Sequence, residues 1–79
     1  MKNQIEVIME SKGIKRSEVP ILTGLNRQQV SNCYLGIGAI PKKMIQFLEQ
    51  IGEDTEKVQA RYKEYQEQKR KALLKKIGA

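Results

Sequence analysis

The chain has 79 residues, with 15 Lys+Arg against 9 Asp+Glu, one Cys and no His. That length holds one domain and no second core. The cysteine and histidine counts exclude an internal disulfide and most zinc sites, so a chain this marginal is expected to gain stability by associating. The formal net charge of +6 is uneven: residues 1–60 carry 8 basic and 7 acidic side chains, residues 61–79 carry 7 and 2. A basic field of that kind is either a solvated helix face or a handle for a polyanion. No basic segment followed by an apolar run opens the chain, and no apolar stretch reaches ~18 residues. The expectation is a soluble, cytoplasmic protein with no membrane role.

No period-2 run rich in β-branched residues is present, so the whole chain reads as helix. Asn3 and Glu6 have the spacing of a capping box, Asn3 taking the Glu6 N–H. Ile5, Ile8 and Met9 form the stripe of a first helix over residues 4–12, stopped by Gly13. The second helix is short, with Ser17 as its expected N-cap and Val19, Leu22 and Thr23 pointing inward. Pro20 then falls third in that helix, where its missing N–H costs little. Gly24 ends it.

Asn26 opens a third helix and pairs with Gln29 as a second capping box. Val30, Cys33 and Tyr34 make its apolar face, and Cys33 reads as a buried small hydrophobe, not a reactive thiol. Gly36 and Gly38 break the chain into a loop, and Pro41 fits the first position of a fourth helix. Met44, Phe47, Leu48 and Ile51 form its core stripe, closed by Gly52. Asp54 caps a long fifth helix. Val58, Tyr62, Tyr65 and Leu73 fall along one face of it, with Lys69 interrupting. That face is either a packing stripe followed by a frayed basic tail or a dimerisation seam anchored by those four residues.

Catalysis is poorly supported: there is no His, no ligand cluster and no phosphate-cradling glycine loop after a strand. The expectation is a non-enzyme without cofactor, metal or evident small-molecule ligand. Recognition is better supported. The third helix sets Arg27, Gln28, Ser31 and Asn32 on the side opposite its apolar face. Arg pairs with guanine, Gln and Asn with adenine, and a capped helix N-terminus at Asn26 can approach a phosphate.

Val19, Gly24, Leu25, Val30 and Cys33, followed by Gly36 and Pro41, give residues 3–52 a pattern that resembles the Cro/repressor-type (XRE-like) helix-turn-helix family. The resemblance departs at Pro20, where the family usually has a small residue, and at Tyr34-Leu35, where a Glu-Arg pair is common. It implies an all-α fold: a four-helix Cro/repressor-like helix-turn-helix domain over residues 1–52, plus a long, basic, amphipathic C-terminal helix over residues 53–79. It also implies double-stranded DNA as partner and a homodimer on an inverted repeat, with base contacts from Arg27, Gln28, Ser31 and Asn32. Arg16, Lys42 and Lys43 fall where phosphates are contacted. The competing reading is a protein-interaction module that antagonises another regulator through its C-terminal helix.

Overall fold

The structure, a computed structural model, describes residues 2–78. Among them the chain is all-α: α1 (Gln4–Ser11), α2 (Val19–Thr23), α3 (Arg27–Leu35), α4 (Lys42–Gln50) and α5 (Thr55–Lys76), with a 3₁₀ turn over Arg16–Glu18 leading into α2 and no strand. No helix in this range is long and apolar enough to cross a membrane.

Asn3 does cap α1, but its Oδ1 accepts the Ile5 N–H at 2.8 Å, not the Glu6 N–H expected of a box. The reason lies outside the helix. Asn3 is buried, and its amide group is drawn toward α3 by two backbone carbonyls described below.

The second helix also starts differently. The chain winds into it one turn early, with Lys15 in the cap position and its N–H held by the Glu18 carboxylate at 2.8 Å, so Ser17 is not the cap. The early start costs nothing at Pro20, because in 3₁₀ geometry the Val19 N–H already satisfies the Arg16 carbonyl. Val19 and Thr23, four apart, face the core, whereas Leu22 is rotated out and Ile21 is 83% exposed. Leu22 is therefore not a core residue. Thr23 belongs inside because its hydroxyl donates to the Val19 carbonyl at 2.7 Å and accepts from Leu25 N at 3.3 Å.

Gly24 then adopts φ +75°, a left-handed geometry that would strain any side chain. The chain reverses over Leu25 into Asn26, the cap of α3, where both halves of the expected box form: Gln29 N to Asn26 Oδ1 at 2.8 Å and Asn26 N to Gln29 Oε1 at 3.1 Å. Pro41 is the N-cap of α4 and not its first residue; its carbonyl accepts from Met44 and Ile45.

One core joins all of these elements. Ile5, Met9, Val19, Leu25, Val30, Cys33, Met44 and Leu48 pack in one cluster with Val58 and Tyr62 of α5. The chain therefore has no break in its core at residues 52 and 53: the first turns of α5 are part of the same body. The remainder is not. At 1.5 Å per residue a 22-residue helix is ~33 Å long, more than the two short dimensions of the molecule, 24 and 21 Å. Its C-terminal end projects, and every residue from 70 to 78 is exposed.

Candidate nucleic-acid interface

The helical period places Arg27, Ser31, Gln28 and Asn32 within an arc of about 140° on α3, opposite Val30 and Cys33. The two apolar residues are 2% and 1% exposed and anchor the helix. Burial pushes the Cys33 thiol above its ordinary pKa, which makes it still less a thiolate. Arg27 and Gln28 are exposed; Ser31 and Asn32 are half-buried.

These side chains already have an order among themselves. Gln28 Nε2 donates to Asn32 Oδ1 at 3.0 Å, one turn along. Arg16 Nη2 donates to Ser31 Oγ at 3.3 Å, and the Arg16 guanidinium lies 4.8 Å from the centre of the Tyr34 ring. A cation over an aromatic face is attracted by its quadrupole, so Tyr34 serves as a platform for Arg16. Desolvation raises the Tyr34 phenol pKa, and the nearby Arg16 charge works against that rise. Arg27 alone of the four makes no hydrogen bond to another side chain.

Between the start of α2 and α3 lies a cleft of about 500 Å³, lined by Arg16, Ser17, Pro20, Arg27, Val30 and Ser31. Two guanidiniums and two hydroxyls surround a small apolar floor, and no carboxylate lines it. This donor set suits an anionic polymer with base edges: guanidinium for phosphate or guanine, hydroxyl for either, Pro20 and Val30 for a methyl group. Lys42 is exposed at the start of α4. Lys43 reaches back to the turn, its Nζ 3.4 Å from the Gly24 carbonyl. The Asn26 side-chain oxygen is spent on the cap, which leaves its amide NH₂ and the first backbone N–H groups of α3 facing outward.

The C-terminal end of α3 is closed by side chains from distant parts of the chain. A helix leaves its last four carbonyls without intrahelical donors. Here Cys33 O and Tyr34 O accept from Asn3 Nδ2 at 2.8 and 3.0 Å. Leu35 O accepts from Lys69 Nζ at 2.8 Å, and the Gly36 and Gly38 carbonyls accept from Gln66 Nε2 at 2.9 and 2.7 Å. Asn32 O accepts from Gly36 N, Ile37 N and, at 3.5 Å, the Tyr62 hydroxyl. Burial pushes the Tyr62 phenol up to about 12, so it remains a donor at any ordinary pH. Lys69 also places its charge at the negative end of the α3 dipole.

Asn3, Gln66 and Lys69 were not among the expected site residues. A weak signal for two of them exists: Gln66 and Lys69 fall on the inward stripe of α5 between Tyr62 and Leu73, and a polar group there must meet something polar.

The expected dimer seam is not a free surface. Val58 and Tyr62, 2% and 3% exposed, are consumed by the chain's own core. Tyr65 is half-buried beside Gly36, whose φ is +76°; a Cβ at that glycine would lie 2.6 Å from Tyr65 Cε1. Only Leu73 is open to a partner. An amphipathic stripe looks the same whether it covers its own domain or a twin, so the period alone could not tell that Val58 and Tyr62 are core.

No protein-family model matches the chain, and no curated protein or solved structure is significantly similar to it.

Proposed function

We propose that this protein is a sequence-specific DNA-binding regulator of the helix-turn-helix type, acting in the cytoplasm as a repressor or autoregulator. In this reading α3 enters the major groove with its N-terminal residues at base edges. The observation that carries it is the polar arc of Arg27, Gln28, Ser31 and Asn32 beside a carboxylate-free cleft, on a helix clamped at its other end. Arg27 and the Gln28–Asn32 pair read bases. Arg16, Asn26, Lys42 and Lys43 hold phosphates, with Arg16 oriented by Ser31 and Tyr34. Two copies occupy the two halves of an inverted repeat. With Val58 and Tyr62 spent in the core, the DNA holds the pair together as much as their mutual contact does.

Selection of bound duplexes from a random pool tests the proposal: a palindromic consensus is expected, bound with steep salt dependence. Arg27→Ala should then cost about 1–3 kcal/mol and relax preference at one base position, whereas Lys42→Ala weakens all sequences alike. Recovery of no consensus, or an Arg27→Ala protein with unchanged preference, would remove α3 as the reader.

A further inference from the structure

Tyr62, Gln66, Lys69, Leu73 and Ile77 share one face of α5, at spacings of four, three, four and four. The first three rest on the end of α3. Leu73 and Ile77 continue the same stripe beyond the edge of the core and are 54% and 76% exposed among the described residues. Leu35 and Ile37, at and just past the end of α3, form the facing wall. Together with Leu74 these side chains are between 41% and 76% exposed and enclose a groove of about 410 Å³. The charged residues that line it, Lys69, Arg70 and Lys76, are all cations.

The chemistry of the groove selects its occupant. Apolar walls give nothing to a bare phosphate, and no aromatic ring lines the groove on which a base could stack. Leu35 and Ile37 on one side and Leu73 and Ile77 on the other make two walls, which fit a cylindrical helix better than a flat bilayer. A second copy related by a two-fold axis would bring the same patch against itself and gather both sets of three cations around one apolar seam with no carboxylate in the lining to offset them. What remains is an element with apolar side chains for the walls and negative charge for the rim.

We propose that this groove docks an acidic amphipathic helix of another protein, whose apolar anchors at i, i+3 or i+4 enter between Ile37 and Leu73 while Asp or Glu residues beside them meet Lys69, Arg70 and Lys76. This goes beyond the DNA reading and does not rest on it. The groove takes no residue from the polar arc of α3, so the chain carries two separate binding surfaces.

The test uses the full chain and a fluorescent designed helix of about four turns (~14 residues) with Leu at the anchor positions and Glu elsewhere. A matched peptide with Lys for Glu, a DNA duplex, phosphatidylglycerol vesicles and self-association by light scattering are run in parallel. The Glu peptide should bind, more weakly as salt rises, and the Lys peptide should not. The Leu73→Ser, Ile77→Ser double variant and, on the other wall, Ile37→Ser should each weaken binding ~10-fold or more. Both variants alter exposed side chains, and unchanged circular dichroism and melting confirm the fold. The proposal is overturned if the Glu peptide fails to bind, if both peptides bind equally, or if the variants bind like the parent. It is equally overturned if what the variants lose is self-association, duplex binding or vesicle binding.

Discussion

The two ends of α3 and the two ends of α5 are built on opposite plans. The nine residues of α3 are too few to be helical alone in water, and it presents a face with almost nothing apolar to bury. Beyond its anchors Val30 and Cys33, its C-terminal end is held from outside: Asn3 from one side of the sequence and Lys69 from the other satisfy its terminal carbonyls, and Gln66 holds the loop that follows. The last turns of α5 are long, amphipathic and unsupported. The difference shows that a short helix with an exposed polar face needs its end held by other elements, whereas a long one can extend past the core on its own backbone hydrogen bonds.

Asn3→Leu puts that contrast under the greatest strain. It removes the cap of α1 and leaves the Cys33 and Tyr34 carbonyls without their donor, so a loss of about 2–4 kcal/mol is expected from chemical denaturation. A loss within experimental error would mean that α3 does not depend on its clamps. Gln66→Ala comes next. It strips one donor from two loop carbonyls that water can partly reach, and about 1 kcal/mol should be lost. Faster amide exchange at Ile37 than at Val30 would show that the damage is local. Truncation after Lys71 should do least. It removes the overhang but no clamp, and stability should change by less than about 0.5 kcal/mol. A larger loss would reveal support for α5 that the exposed residues 72–78 do not show.

The sequence was most informative where the physics is local. The Asn26–Gln29 box, the Gly24 turn and the inward pair Val30 and Cys33 each depend on residues within four positions of one another, and each is found in the structure. The all-α class follows for the same reason. Leu22 was placed on the wrong side because residues 22 and 23 flank Val19 on either side by roughly 60° and 40°, and only the packing decides which of them faces the core; Ser17 lost its role as cap to the 3₁₀ turn. Long-range choices left no local trace. Asn3 has the spacing of a capping box with Glu6, yet carbonyls about thirty residues away decide where its amide points. Val58 and Tyr62 read equally well as seam or core until α1 and α4 are seen to cover them. In the candidate site the residue types of the α3 face were legible. Their pairing, Arg16 on Tyr34 and Gln28 on Asn32, was not, because side-chain partners depend on how α2 meets α3.

The clamps on α3 have a consequence for how the protein comes into being. One lies 30 residues upstream and another 34 residues downstream, and closing a loop of that length costs roughly 3 kcal/mol in chain entropy beyond a constant term. During synthesis the upstream clamp can close as soon as Tyr34 has left the ribosome. The downstream one must wait for Lys69. Throughout that interval α3 is held from one side only, so a nascent chain, or one terminated before Gln66, contains the whole polar arc of α3 but lacks one of the two sides that hold its end. The rigidity of that arc is completed only once Gln66 and Lys69 have been made, well after the arc itself.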